Sequence, residues 1–511
     1  MSTAALNQNA LPVGAADRRY VTAALMLVMV LASMEQTVTS TAMPTIIGEL
    51  HGFEHYAWVA SIYLLACTVS MPLYGRLADA LGRKRVMVVA IVLFCVASVL
   101  AASARTMPEL IIYRGIQGLG AGGIMPVVLT ILGDIFTLQE RARVQGLFSA
   151  IWGTASLAGP ALGAFLVNAL GWRSIFFINL PFGALGLGVL VWKYHDHEKP
   201  HSTDLDLPGV VGLAIACMGL LAAVSLCGTE LWSWTWGSAL IGASLVAGYL
   251  FVQHEKRAAN PIMPPALMMD RNIGPALVAG LLLGVGIFGL DTYVPLYVQG
   301  GRGGGATAAA GVVTPVMMMW ALSGIVAAPL IVRWGFRKTA VTGAILVVVG
   351  FAGQLICALT NASPWILTVA LAVTGFGFGP ASMSYLLAAQ DSVRWQQRGI
   401  VTSSVQFFRS MGGAVGIGLL GALFNLLMRP NLSRLQTLGL TPRALLDPMV
   451  RKDLPVDKLK LIGAMISGGL VWVFAAMLLF AILGVAVSLM MSGKKCEHAV
   501  RAAEALEAMA G

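Results

Sequence analysis

GRLADALGRKR, residues 75–85, joins two apolar runs, 56–76 and 84–103. Each run has the roughly 20 residues that an α-helix needs to cross a hydrocarbon core about 30 Å thick. The turn between them is short and charged, with Asp79 beside Arg83 and Lys84. Gly75 and Gly82 allow close helix approach and a tight turn. The spacing supports two readings: a charge latch that forms in one conformer and breaks in another, or a basic anchor at the inner mouth with incidental glycines.

Outward from this turn, apolar runs and short polar loops alternate along the whole chain. Fourteen spans are predicted, at 21–42, 56–76, 84–103, 109–132, 143–167, 174–193, 207–227, 237–253, 273–298, 307–332, 339–359, 364–390, 399–427 and 463–491. Of the 511 residues, 58% are hydrophobic and 11% charged, against about 25% charged in a soluble globular chain. A soluble core could not hide that much apolar surface, so an all-α integral membrane protein is expected. The net charge of +10 is read as basic residues gathered in short loops rather than as a nucleic-acid surface, because no compact basic domain or aromatic–basic interleaving occurs. Cys67, Cys95, Cys217, Cys227, Cys357 and Cys496 form no CxxC and no zinc spacing, so neither metal nor cofactor is expected. Residues 1–20 are polar and no small-residue cleavage site follows a short apolar stretch, so the first run is expected to stay in the membrane.

Lysine and arginine set the orientation. With the N-terminus inside and loops alternating, the inside segments carry 21 basic residues and the short outside loops only Arg105, Arg173 and Arg302. That contrast places both termini in the cytoplasm and requires an even number of spans. Trp232, Trp234 and Trp236 read as an aromatic belt at the outer interface. The stretch HDHEKPHSTDLDL, 194–206, reads as a solvated linker rather than a histidine metal site, and 428–462, with four prolines, as a long external loop.

Two acids lie well inside predicted spans, Glu35 and Asp291. Burial favours the neutral carboxyl, so such a group can take up a proton on one side and release it on the other, and a cationic substrate can compete for it. Thr37, Thr39, Ser40 and Thr41 follow Glu35 and could hydrogen-bond the neutral acid or ligate Na+; a neighbouring arginine or hydroxyl could equally satisfy it with no role in transport. Asp291, ahead of Pro295, is a second proton site or a contact for a cationic substrate. No GxxxxGK[ST] occurs, which argues against nucleotide drive. Tyr63, Gln117, Trp152, Tyr293, Tyr297, Met317, Met318, Met319 and Gln406 are pocket candidates, since aromatic and thioether surfaces suit varied ligands. Arg409 is a further charge within a span, and pairs with an acid, neutralises an anionic substrate or lies at the inner interface.

These stretches also resemble a known family. GRLADALGRKR matches the G-x-L-x-D-x-x-G-R-[KR] pattern of the major facilitator superfamily through Gly75, Leu77, Asp79, Gly82, Arg83 and Lys84. The resemblance implies a conformational latch there rather than a substrate site. LIIYRGIQGLGAGG, 110–123, is similar to the family's fourth-span motif, which implies a proton-coupling role for Arg114. Residues 146–164 resemble the fifth-span antiporter motif G-x8-G-x3-GP-x2-GG through Gly146, Gly159, Pro160 and Gly163, with Ala155 and Ala164 in place of two glycines. LASMEQTVTSTAMPTI (31–46), WVASIYLLACTVSMPLYG (58–75), WRSIFFINLPFG (172–183), YVPLYVQ (293–299) and QRGIVTSSVQFFRSMGGAVG (397–416) look like the fourteen-span drug:proton antiporters of the EmrB/QacA type. Glu35 stands where that subfamily usually has aspartate. The second-half counterpart of the latch, VRWGFRK (332–338), has no acid.

The expected fold is therefore a major facilitator fold of fourteen transmembrane helices arranged 6 + 2 + 6. Its parts are a cytoplasmic tail (1–20), a six-helix bundle (21–193), a linker with two extra helices (194–272), a second bundle (273–491) and a cytoplasmic tail (492–511). The expected function is proton-driven export of lipophilic compounds, cationic ones included, by a monomer in the cell membrane, with a periplasmic adaptor where the host has two membranes. A dedicated exporter of one metabolite, siderophore or antibiotic is the alternative. A membrane-embedded lipid-modifying enzyme is disfavoured because no catalytic cluster is visible.

Overall fold

The computed structural model describes residues 15–50, 56–196, 206–226, 234–304, 306–437 and 455–492, and their regular structure is helical throughout. The elements are α1 (Ala15–Leu50), α2 (Tyr56–Leu81), α3 (Arg83–Ser103), α4 (Met107–Ile135), α5 (Leu138–Leu170), the single turn α6 (Ser174–Phe177), α7 (Asn179–Lys193), α8 (Leu207–Leu226), α9 (Trp234–Glu255) and the single turn α10 (Pro265–Met268). They continue with α11 (Ile273–Leu296), a π-turn (Tyr297–Gly301), α12 (Ala306–Thr360), α13 (Pro364–Asp391), a 3-10 turn (Trp395–Gln397), α14 (Arg398–Thr437) and α15 (Val456–Leu489). Cys227, Cys496, His197, His201, Trp232 and residues 438–454 of the expected 428–462 loop lie outside the described residues, while the two ends of that stretch are helical, in α14 up to Thr437 and in α15 from Val456.

Local chemistry sets the boundaries. Thr106 caps α4 by accepting the Glu109 N–H, and Glu109 reaches back to the Arg105 N–H at 2.9 Å. Glu140 accepts the Thr137 N–H at 2.9 Å in the same way at the start of α5. Gly82 has φ 95 and separates α2 from α3. Gly335 has φ 79 and divides α12 into two helices at VRWGFRK. A side-chain-bearing residue would be strained at either turn.

Ten helices among the described residues are long and apolar enough to cross a membrane, one of them the broken helix Ala308–Thr360. Their outer faces are apolar too. On α3, Val89, Val92, Val96 and Val99 are exposed, while Val86, Ala90, Phe94 and Ala97 on the opposite face are buried. A helix apolar all round suits lipid rather than water, so the protein is a multi-pass membrane protein.

The chain forms two compact units. The first comprises Met1–Ala214, Leu250–Gly274 and Leu386–Phe407, and the second Ile215–Tyr249, Pro275–Tyr385 and Phe408–Gly511. In the first, α4 is wedged between α2 and α3, and glycines set the spacing. A Cβ at Gly118 would come within 2.4 Å of the Tyr63 carbonyl on α2, and one at Gly120 within 2.6 Å of the Phe94 nitrogen on α3. In the second unit, a Cβ at Gly284 on α11 would lie 2.0 Å from the Arg409 carbonyl on α14, and one at Gly343 on α12 would lie 2.5 Å from the Ala381 nitrogen on α13. Between lipid-immersed helices the hydrophobic effect is weak, and this backbone-to-backbone contact supplies the van der Waals attraction.

Gly120→Val should lower the yield of monodisperse protein and its thermal midpoint, at a cost of about 1–3 kcal/mol for overpacking. Gly115→Ala, whose Cβ would meet only Ile62 at 3.4 Å, should leave both unchanged. Size-exclusion profiles and thermal unfolding in detergent measure the difference.

Candidate functional site

Five helices and one short turn of the first unit converge on a buried polar network. Glu35 comes from α1, Arg114 and Gln117 from successive turns of α4, Ser98 from α3 and Asn179 from the first residue of α7. Arg114 donates to Glu35 Oε1 through NH1, and the same nitrogen lies 2.6 Å from Gln117 Oε1. Thr39 Oγ1, one turn beyond Glu35, donates to Oε1 at 3.1 Å. Asn179 Nδ2 donates to Glu35 Oε2 at 2.6 Å and to Ser98 Oγ at 3.2 Å. Gln117 Nε2 donates to the same Ser98 oxygen at 2.8 Å.

Aromatic rings close this network. The Arg114 guanidinium lies 4.3 Å from the centre of the Tyr63 ring on α2 and 6.0 Å from that of Phe176 on α6. Glu35 is 2% exposed and Arg114 1%. Taking both charges out of water costs several kcal/mol per ion, which the pair offsets only when the remaining donors and acceptors are satisfied. Here both Glu35 oxygens are engaged, so of the sequence-level options the carboxylate satisfied by an arginine and a hydroxyl is the arrangement present. Tyr63 and Gln117 belong to this network.

Asp291 is placed differently. It lies on the exposed face of α11 beside Thr292 and has no hydrogen-bond or ion-pair partner among the described residues. Tyr293 is buried and donates to the Ile417 carbonyl at 2.8 Å. Tyr297 is buried edge-on to Phe474 and accepts from Arg302 Nε at 3.1 Å. Met318 is exposed, Met317 and Met319 are half-buried and Gln406 is buried. Tyr63, Gln117 and Gln406 belong to the first unit, and Tyr293, Tyr297 and Met318 to the second. Gly159 on α5 meets α1 so closely that a Cβ would lie 1.9 Å from Thr37 Oγ1, and Gly163 is buried. Gly146, Trp152 and Pro160 fall within α5, but their side chains lie outside the described residues.

The stretch 75–85 builds a second polar site. Asp79, its side chain 2% exposed, accepts from Arg83 NH2 at 2.8 Å and from the Gly399 and Ile400 N–H groups at 3.0 and 2.8 Å. Those two amides open α14, so the carboxylate caps a helix N-terminus, where free donors and the helix dipole favour negative charge. Arg83 donates in four directions: to Asp79, to Asp134 Oδ2 at 3.1 Å, to the Ala78 carbonyl at 3.0 Å and to the Trp395 carbonyl at 3.0 Å. Its guanidinium also stacks 3.9 Å from the centre of the Trp395 ring. Asp134 is shared with Arg398 NH1 at 3.6 Å. Gly75 makes room for Ser403, and the Lys84 N–H donates to both oxygens of Asp196 at 3.2 Å. At the other end of this unit, Arg173 and the Trp172 indole N–H both donate to Glu49 and lower its carboxyl pKa.

Asp134, Asp196, Trp395 and Arg398 were not singled out as site residues from the sequence, nor were Ser98 and Asn179. Asn179 had a legible signal, a polar amide inside an apolar run that must find partners. Ser98 had none, since serine in a membrane helix usually bonds its own preceding turn. Asp196 belongs to the stretch 194–206 expected to be a solvated linker, but the Lys84 amide holds it against Gly82.

Arg83→Lys should cost about 3 kcal/mol of stability, because one ammonium cannot span four acceptors and leaves Asp134 buried with a weakened partner. Arg85→Lys, at an exposed position in the same turn, should be neutral. Thermal unfolding of the two variants in detergent separates these outcomes.

The family model of the Major Facilitator Superfamily matches residues 25–417. The multidrug transporter protein MdtP of Bacillus subtilis (strain 168) is 34% identical over 406 residues, covering 78% of this chain and 74% of the relative. Multidrug resistance protein 3 of the same organism is 31% identical over 417 residues, covering 80% of each. The crystal structure of the human organic anion transporter MFSD10 (TETRAN) superposes with a TM-score of 0.59 at 14% identity, over 91% of this chain and 99% of that one. These proteins are transporters and not enzymes. With its helical fold, its apolar spans and the motif at 75–85, the chain belongs to the Major Facilitator Superfamily of membrane transporters.

Proposed function

We propose that this transporter is a proton-driven exporter of lipophilic compounds, cationic ones included, working as a monomer by alternating access. In this reading it has fourteen spans in a 6 + 2 + 6 order, with both termini cytoplasmic. The observation that carries it is the buried Glu35–Arg114 pair with Asn179 and Thr39 around the carboxylate. A proton arriving on Glu35 removes the counter-charge of Arg114, and Gln117 and the Tyr63 ring remain to hold the guanidinium. Loss of that proton restores the pair, so the network has two charge states that can bias two conformers. Asp291, exposed on an apolar helix and without a partner among the described residues, is a second carboxylate able to take a proton or a cationic cargo. Relatives with multidrug names and the close α1–α5 approach at Gly159 support the export direction. The ion network around Asp79 and Arg83 acts as the latch of one conformer.

A second reading, a dedicated exporter of an anionic metabolite, is favoured by Arg409. This guanidinium lies within α14 and has no partner among the described residues.

Reconstituted protein, assayed for uptake of a panel of lipophilic cations and organic anions under an imposed pH gradient, distinguishes these readings. Glu35→Gln should reduce proton-linked transport about tenfold or more, equivalent to about 1.4 kcal/mol on the coupled step. Asp291→Asn should reduce transport of cations, whereas Arg409→Gln should leave cations unaffected. Undiminished transport after collapse of the proton gradient would overturn the proton drive. Loss of anion transport alone in Arg409→Gln would establish the second reading.

A further inference from the structure

Asp206 precedes the first turn of α8 and Glu255 ends α9. Their side chains are 7% and 2% exposed. Each carboxylate has one oxygen engaged and one without a donor. Asp206 Oδ1 accepts the Gly209 N–H at 3.0 Å and lies 2.7 Å from His254 Nε2. Glu255 Oε2 accepts the Met263 N–H at 2.8 Å. The remaining oxygens, Asp206 Oδ2 and Glu255 Oε1, are fully buried and have no hydrogen-bond partner among the described residues. Both press on the same residue: a Cβ at Gly209 would lie 2.4 Å from the first and 2.7 Å from the second. The two carboxyl groups therefore face the same small space beside Gly209.

Two ionised carboxylates buried side by side at one glycine are disfavoured, because each would carry an unsatisfied acceptor and the like charges repel. One proton between them supplies the missing donor to both. No group of three metal-ligating side chains occurs among the described residues. We propose that Asp206 and Glu255 form a proton-binding site, a single proton held between Oδ2 and Oε1 that clamps the start of α8 to the end of α9.

Of the charged groups on the adjoining elements, His254 touches Asp206, while Lys256 and Arg257 are exposed. The Met263 amide pins the segment after α9 to Glu255. From that segment, Asn260 Oδ1 accepts from Arg76 NH2 at 2.7 Å, so the clamp reaches the helix that carries Asp79. The site is independent of proton traffic at Glu35 and stands whether or not transport is proton-driven.

The test uses the full-length protein in detergent. A shared proton is bound more tightly in the folded state than in the unfolded one, so its stabilisation is present at low pH and lost as pH rises and the pair gives it up. Between about pH 6 and about pH 9 the wild-type thermal midpoint should fall by about 2–4 °C more than that of Glu255→Gln, the shift expected for about 1 kcal/mol in a large domain. The amide of that variant donates permanently to Asp206. Glu255→Ala should be less stable than Glu255→Gln at every pH. Infrared spectra should show a protonated-carboxyl stretch in the wild type that disappears in both Glu255→Gln and Asp206→Asn. Parallel pH curves for wild type and Glu255→Gln, with no carboxyl stretch lost, would overturn the proposal. So would stabilisation of the wild type, but not of Glu255→Gln, by added sodium or a divalent cation.

Discussion

A guanidinium buried among apolar helices is costly unless acceptors surround it, because neither lipid nor water is there to compensate it. Arg114 and Arg83 are each 1% exposed, and the first unit is built around satisfying them. Arg114 draws α1, α2 and the α6–α7 corner toward α4 through Glu35, the Val59 carbonyl and the Tyr63 and Phe176 rings. Arg83 gathers the ends of α2 and α4 with the start of α14 through Asp79, Asp134 and the Trp395 carbonyl. Removing either arginine leaves an unpaired carboxylate in a low-dielectric site, which costs more than the ion pair contributes.

Close helix contact is the condition for these networks. Gly118 and Gly122 bring α4 onto α2, and Gly120 brings it onto α3. With side chains there, the helices would stand further apart and Ser98, Gln117 and Asn179 could not share hydrogen bonds. Gly75 does the same for the ion network around Asp79, where a Cβ would overlap Ser403. The glycines and the buried charges are thus one design: the first sets the distance that the second requires.

Much of this was legible in the residues. Glu35, Arg114, Gln117, Asp79 and Arg83 stand out because a charge or amide in or beside an apolar run is costly unless it is used. What did not stand out were partners whose residue types are unremarkable in sequence. Trp395 contributes a backbone carbonyl and a ring face to Arg83. Gly399 and Ile400 contribute backbone amides to Asp79. Backbone donors and acceptors exist at nearly every position, so composition cannot single them out. Asp206 and Glu255 lie 49 positions apart in polar stretches that read as ordinary loop ends, and only their burial against Gly209 gives them a chemistry.

By itself, the sequence determined that the chain is helical and membrane-embedded, and which few charges lie where charge is expensive. Those conclusions follow from hydropathy and from the length of each run, which are local properties. Only the tertiary structure decided that Glu35 is paired while Asp291 has no partner among the described residues, that Asp79 caps α14, and that two remote carboxyls lie at one glycine. Partner choice depends on which helix faces approach within a few ångströms, and that distance is set by small residues on both helices at once, information that no single stretch of sequence contains.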